Sequence, residues 1–293
     1  MKTKKPALQK SINYFMGTSL PRNGNMDATR EQVPLHKMPT GTKEWADSNV
    51  NFLFGCRNNC RYCYARMMAV RFHRRARDEW QEMEVNVRIV SKRFARRQGR
   101  VMFPSSHDLF PEHLDIIEKV LGRLLDAGNQ VLLTTKPRVE VIEAICDHFA
   151  DAKDSIQFRF TIGSVDDELL SFWEPGAPTF EERLAALELA FTRGFKTSVS
   201  IEPFLDYDPI PLIDAVDPFV TESIWLGLMN YIPREHILET DEKWYAAIRQ
   251  NYQFDHVVAL YAELGTRDKI QFKDSIKKML GLMPVQKISC SIH

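Results

Sequence analysis

Cys56-Arg57-Asn58-Asn59-Cys60-Arg61-Tyr62-Cys63 is the stretch on which the reading of this chain turns. Thiolates at i, i+4 and i+7 can converge on one centre when the backbone wraps around it. Three cysteines are one short of the usual four of an iron–sulfur cluster, and an incomplete set leaves one iron open to bind something else. Immediately upstream, residues 50–54 form a short apolar run rich in aromatic and branched side chains, which predicts a strand. The cysteine loop then follows the C-terminal end of the first strand, where α/β barrels build their active sites.

Working outward, similar runs recur at 100–103, 130–135, 156–162, 197–201 and 223–229. Helical patterns separate most of them. Residues 112–126 place Leu114, Ile117, Leu121 and Leu124 on one face, and 139–149 do the same with Ile142, Ile145 and Phe149. Thr179-Phe180-Glu181-Glu182 is a capping box opening a helix whose apolar face is Leu184, Leu187 and Phe191. Gly194 stands where a helix C-cap belongs. Six strands joined by helices imply parallel pairing with right-handed crossovers. A partly or fully closed α/β barrel and an open doubly wound sheet both fit this pattern. The strand at 156–162 alternates apolar and polar residues, whereas a strand covered on both faces should be apolar throughout. One polar face suggests a lumen, and so a barrel with a site inside.

Composition narrows the function classes. The 293 residues are 44% hydrophobic and 27% charged, an ordinary globular balance. No apolar run approaches the length of a membrane-spanning helix. The start, Met1 to Pro6, is basic without an apolar stretch behind it, so no secretory signal is expected and the expected compartment is the cytoplasm. Five cysteines, three of them clustered, do not make a disulfide framework. Lys plus Arg (39) balances Asp plus Glu (39), yet residues 61–100 hold twelve basic and four acidic side chains. If those basic groups share a face they could contact phosphates; otherwise they are a solvated surface. Residues 140–188 are acidic in turn and are expected to face solvent.

The cysteine motif resembles the CxxxCxxC signature of the radical S-adenosylmethionine (SAM) superfamily, with the aromatic Tyr62 before the last cysteine. Further segments are similar to the spore photoproduct lyase-like branch, also called DNA repair photolyase-like. They are Glu44-Trp45, Phe103-Pro104-Ser105-Ser106-His107-Asp108, Thr134-Thr135-Lys136-Pro137, Glu174-Pro175-Gly176-Ala177-Pro178 before Arg183-Leu184, Ser200-Ile201-Glu202-Pro203, Gly227-Leu228-Met229-Asn230 and Phe272-Lys273-Asp274-Ser275. The resemblance implies an α/β fold, a partial (β/α)6 TIM-like barrel of the radical SAM type. It implies a 4Fe-4S cluster on Cys56, Cys60 and Cys63, whose open iron chelates SAM. Reduction of the cluster would cleave SAM to a 5′-deoxyadenosyl radical that abstracts hydrogen from the substrate. Tyr62, Ser106, Lys136, Thr161 and Glu202 are the expected SAM contacts, and Tyr64 and His107 the expected catalytic groups. A reducing electron donor of the flavodoxin or ferredoxin type is the implied partner, with DNA or RNA as the leading substrate class. The expected organisation is an N-terminal arm or cap at 1–45, the barrel core at 46–235 and an α/β extension at 236–293 packed on the core.

One residue departs from the branch. Spore photoproduct lyase returns hydrogen from a cysteine after its second strand, and the matching position here is Ser105. A hydroxyl donates a hydrogen atom far less readily than a thiol, which argues against the same repair route. Tyr64 stands where that family can have a tyrosine relay, and Cys290 is another candidate thiol donor. Three rival readings remain. One is radical modification of a small molecule or a protein. Another is an accessory protein that holds a cluster without turnover. The third is a zinc-binding nucleic-acid module, with Cys56, Cys60, Cys63 and His73 as a Cys3His tetrahedron. Cys146 reads as a buried structural thiol. His107-Asp108 is a candidate acid–base pair, while His113, His148, His236, His256 and His293 show no ligand spacing.

Overall fold

The computed structural model describes residues 39–233 and 237–283. Most of the expected N-terminal arm, together with His236, Cys290 and His293, lies outside the described residues. Seven strands form one parallel sheet. They are β1 (Ser48–Asn49), β4 (Arg100–Phe103), β5 (Gln130–Thr135), β6 (Ile156–Thr161), β7 (Lys196–Ile201), β8 (Ile224–Leu226) and β9 (Ile270–Phe272). Their order across the sheet is the same as their order along the chain. β2 (Leu53–Phe54) pairs instead with β3 (Glu84–Val85) in a small antiparallel ribbon.

Two strand expectations change. The run at 50–54 is not one strand of the main sheet. Ser48–Asn49 pairs with β4, and the chain then leaves the sheet so that Leu53–Phe54 pairs with β3. The seventh strand, Ile270–Phe272, lies in the C-terminal segment and pairs in register with β8. Three residues between Lys269 and Lys273 carry too little pattern to read as a strand alone.

The helices form as their apolar spacing requires. Helix α1 (Tyr64–Arg71) follows the cysteine loop, α2 (Leu114–Asp126) follows β4, and α3 (Val139–His148) follows β5. Ile117, Val120, Leu121 and Leu124 are fully buried on α2, as are Val141, Ile142 and Ile145 on α3, where Cys146 joins the same core. Helix α4 (Phe180–Thr192) starts on Thr179, whose Oγ1 accepts from the Glu182 N–H at 3.3 Å. Gly194, at φ +79°, ends it with its N–H donated to Phe191 O. The buried face of α4 is Arg183, Ala186, Leu187 and Ala190, while Phe191 is 39% exposed. The apolar pattern pointed one position too far around, because Arg183 turns inward to a buried carboxylate.

The alternation in β6 resolves as the lumen reading expects. Ile156, Phe158 and Phe160 join the core, with Phe158 against Phe195 at 5.3 Å. Arg159 points the other way and is 2% exposed. Its guanidinium lies 4.8 Å from the Trp45 ring and 5.5 Å from Trp225, and its Nε donates to Ser198 Oγ at 3.0 Å. Burial lowers its pKa to about 9, and among the described residues no carboxylate pairs with it. The two indoles meet edge to face at 5.9 Å. On the inner face of the sheet this cation–π stack lies beside a small apolar cluster of Ala46, Met102 and Leu132, against which Trp45 also packs.

A buried ion pair links the two ends of the sheet. Lys273, just past β9, places Nζ 2.6 Å from Glu44 Oε2 and donates to Gly41 O at 2.8 Å, both ahead of β1. Lys273 is 1% exposed and Glu44 6%. Among the described residues β1 and β9 are unpaired edges, so the result is a partial parallel barrel. Removing one partner of a buried ion pair strands the other, whereas replacing both with apolar groups is milder. Glu44→Ala is expected to cost about 3–5 kcal/mol of unfolding free energy. The double change Glu44→Leu with Lys273→Met should cost clearly less, as measured by urea denaturation.

Candidate active site

The cysteine loop sits at the C-terminal edge of the sheet and is fixed by its neighbours. Cys56 and Cys60 are buried and Cys63 is half-buried, all as free thiols. Gly55 has φ +89°, and a Cβ there would lie 2.2 Å from Glu82 O, so the loop leaves β2 through a position only glycine fits. Gly176 presses on the other side, where a Cβ would fall 2.6 Å from Arg57 O, and its N–H donates to Asn58 O at 3.1 Å. Cys63 caps α1, its Sγ accepting the Arg66 N–H at 3.4 Å. The positive end of that helix favours negative charge at Cys63.

Asp108 is the knot of the site, and its role was not legible in the sequence. Its Oδ2 accepts from Asn58 Nδ2 at 2.7 Å, inside the cysteine loop. Its Oδ1 accepts from the Lys136 N–H at 2.6 Å and from Thr135 Oγ1 at 2.8 Å, at the end of β5. Arg138 closes the ring, donating at 2.8 Å to both Asn58 Oδ1 and Gly176 O. Burial alone would raise the Asp108 carboxyl, but the Lys136 ammonium and these donors hold it below its ordinary value.

The expected site residues meet in part. Tyr62 and Lys136 come together, with Lys136 Nζ 5.7 Å from the Tyr62 ring and 4.0 Å from Asp108 Oδ2. Burial alone would lower the Lys136 ammonium, yet Cys60, Tyr62, Glu174 and Asp108 outweigh it and hold the charge. The Tyr62 hydroxyl donates to Glu174 Oε1, and Glu174 pairs with Arg183 at 2.6 Å in full burial. Ser106 follows β4, its N–H held by Asn51 Oδ1 at 3.1 Å, and Asn51 also accepts the Ser105 N–H at 2.7 Å. Thr161 pairs with Ser200, which sets it at the same sheet edge as Glu202. Glu202 lies 3.8 Å from Lys273, and burial raises its pKa to about 7 against the pull of that lysine. Tyr64 begins α1 and is 57% exposed. His107 spends both ring nitrogens on backbone. Nε2 accepts from the N–H groups of Phe52 (3.1 Å) and Leu53 (3.2 Å), and Nδ1–H donates to Asp108 O at 2.9 Å. Burial lowers it to about pKa 4, so it braces the β1–β2 segment as a neutral ring.

Donor chemistry decides which metal group these residues suit. Burial pushes the Cys56 thiol up to about 12, and it also raises Cys60 and Cys63. Such thiols ionise only by exchanging their protons for a metal. Lys136 is the strongest favourable charge at Cys60. Among the described residues no three His, Cys, Asp or Glu side chains converge on a single-ion position. His73 is exposed beyond α1, at φ +51°. That arrangement does not make a zinc tetrahedron. A four-iron cluster takes each sulfur on a different iron, and the set of three fits it.

Asp108→Ala should unlink the loop from β5 and lower stability by about 3 kcal/mol, with less iron retained after anaerobic reconstitution. His107, neutral when folded, contributes stability that is fully present above pH 6.5 and is lost as pH falls through about 4. That contribution is about 3 kcal/mol and should appear as a steeper acid decline in wild type than in His107→Gln, by urea unfolding between pH 7 and 4.

The chain is similar to several known proteins. MJ0683, an uncharacterized protein of Methanocaldococcus jannaschii, is 25% identical over 207 residues, covering 69% of this chain and 75% of that protein. ORF301, an uncharacterized protein of Acidianus two-tailed virus, is 28% identical over 171 residues, covering 54% of this chain but only 55% of its own length. Among solved structures, spore photoproduct lyase complexed with dinucleoside spore photoproduct is 15% identical, covers 84% of this chain and 77% of its own, and has a TM-score of 0.44. Streptococcus suis SuiB bound to S-adenosylmethionine is 10% identical, covers 64% of this chain and 42% of its own, and has a TM-score of 0.43. The family model for the radical SAM superfamily matches residues 50–207, which run from the approach to the cysteine loop to just past β7 and make up more than half of the chain. Enzymes of that family use a 4Fe-4S cluster and SAM and need an electron donor. This chain belongs to the radical SAM superfamily.

Proposed function

We propose that Cys56, Cys60 and Cys63 hold a 4Fe-4S cluster with one open iron, and that the chain is a radical SAM enzyme acting on nucleic acid. The observation that carries the first part is the buried loop of three thiols with Lys136 and the α1 N-terminus as its positive counterweights. When bound, the cluster and SAM supply a 5′-deoxyadenosyl radical that abstracts hydrogen from the substrate.

The chain's own residues do the rest. Lys136 carries a buried positive charge suited to the carboxylate end of SAM. Tyr62, anchored through its hydroxyl to Glu174, offers a ring for the adenine. Ser106, Thr161 and Glu202 share the sheet edge and offer polar groups for the ribose or amino group. His107 positions the segment before the cysteine loop, and Tyr64 stands at the start of α1, where a relay to solvent or substrate is open to it. Ser105 replaces a thiol, so the product radical needs a hydrogen source other than this position.

The substrate class rests on the basic stretch. Part of it is absorbed inside the fold. Arg66 is buried, Arg75 pairs with Glu82 and Glu84, and Arg97 bonds to Ser48 and Asn49 O. What remains exposed includes Phe72, 51% exposed, with the Arg71 and Arg74 guanidiniums 5.9 and 5.4 Å from its ring. Aromatic and arginine groups side by side suit stacking on an unpaired base.

Anaerobically reconstituted protein given SAM and a strong reductant is expected to form 5′-deoxyadenosine, and Cys63→Ala to lose at least about 100-fold of that activity. Iron-loaded wild type that forms none would leave a cluster-holding protein without turnover. Zinc without iron would sink the radical reading. Single-stranded DNA or RNA binding that weakens steeply with salt supports the substrate class, and its absence favours a small molecule or a protein.

A further inference from the structure

Three arginines line one pocket of about 550 Å³. Arg61 comes from the cysteine loop, Arg66 from α1, and Arg77 from the turn that leads to β3. Tyr245, on the helix Glu242–Asn251, forms a wall from the C-terminal part of the chain. Asp78 and Gln81 add polar groups. None of Tyr62, Asp108, Lys136 or Glu174 lines this pocket, so it is separate from the surface assigned to SAM.

The charge there is unbalanced. Arg61 is held in place, with Nε donating to Phe172 O at 2.8 Å, Nη1 paired with Asp241 at 3.1 Å, and the Phe172 ring 4.1 Å away. Arg66 is 8% exposed. Its Nη1 donates to Asn59 Oδ1 and its Nη2 to Arg61 O at 3.1 Å, which leaves further N–H donors on the same guanidinium. Burial disfavours the Arg66 cation, and Arg77 and Arg61 add their repulsion. Among the described residues neither Arg66 nor Arg77 pairs with a carboxylate, and Asp78 pairs with none of the three arginines. Two cations therefore stand beside one another without a counter-charge in contact.

We propose that this pocket binds a small molecule through a phosphate monoester, with the phosphate on the guanidiniums and the organic body against Tyr245. A phosphate monoester carries nearly two negative charges at neutral pH, which matches Arg66 and Arg77. Its oxygens suit the planar fork of an arginine, which can donate two parallel N–H groups to them. A phosphodiester carries a single charge and leaves one of the two cations unmatched. The volume lies within the range of small-molecule sites, roughly 300–1,000 Å³, so a bare phosphate would leave most of it empty. Nothing in this site depends on what the cysteines hold.

The test titrates the full chain, without SAM, with ribose 5-phosphate, ribose and inorganic phosphate in a calorimeter. Ribose 5-phosphate is expected to bind at least about tenfold more tightly than ribose, and inorganic phosphate to compete with it. Arg77 and Gln81 are exposed, so changes there leave the core intact, and unchanged circular dichroism and melting temperature verify it. Arg77→Gln should weaken ribose 5-phosphate about tenfold, Arg77→Glu more, and Gln81→Glu should also weaken it by repulsion. Wild-type affinity in both Arg77→Glu and Gln81→Glu would overturn the proposal. Equal affinity for ribose 5-phosphate and ribose, or binding of neither, would do the same. A paired arm compares one short oligonucleotide with a 5′-phosphate and with a 5′-hydroxyl. Tighter binding of the phosphorylated form, lost in Arg77→Glu, supports the monoester site and names a nucleic-acid end as its source. Equal binding of both forms, weakened by Arg77→Glu while ribose 5-phosphate does not bind, overturns the proposal and gives the pocket to backbone diesters. No arm needs iron, so failure of the cluster reading and failure of this one are told apart.

Discussion

A single carboxylate holds the candidate site together. Asp108 reaches the cysteine loop through Asn58 and the end of β5 through Thr135 and the Lys136 backbone. Its neighbour His107 grips the segment between β1 and β2. One dipeptide therefore registers three pieces of chain that are otherwise joined only by loops. The arrangement works because every lone pair of the buried carboxylate finds a donor or a cation, which is the condition for burying a charge at all. A loop that must wrap a bulky inorganic group gains little order from its own short sequence. Here the order is imported from the strand ends.

The buried charges fall into separate groups. Glu174 and Arg183 neutralise each other beneath Tyr62. Lys273 and Glu44 do so at the seam between the sheet edges. Arg159 has no carboxylate in contact and is held by indole faces and hydroxyls instead. Lys136 faces the thiols and tyrosine of the cysteine loop, so its charge is directed at the site rather than spent on the scaffold. Apolar side chains would fill the same volume, but they would leave no fixed field at the strand ends.

Much of this was legible in advance, and the exceptions share a cause. The cysteine spacing, the polar face of β6 and the parallel strands after the first are local patterns that appear in the structure where the pattern put them, whereas the run at 50–54 does not join the main sheet. Asp108, Glu174 and Asn58 stood inside quoted motifs, but their bracing role carries no local signal, because it lies in partners 27 to 112 residues away. β9 is too short to announce itself, and α4 buries Arg183 where an apolar face was expected because Glu174 waits beneath it. The basic stretch looked uniform in sequence. Folding splits it into buried braces, surface pairs and a few free cations, a sorting that composition alone does not contain.

The clasp between Lys273 and the segment before β1 spans 232 residues to Gly41. Contacts so distant in sequence form late, and parallel sheets are slow to assemble. During synthesis, β1 to β8 can pair before residue 273 has left the ribosome, since domains fold from the N-terminus as they emerge. Until then the sheet lacks the bond that draws its edges together, and the strand ends around the cysteine loop stay open. Barrel closure is therefore tied by the chain's own topology to a late-made segment. Lys273 at the end of β9 acts as a latch that can engage only after the strands it closes have been made.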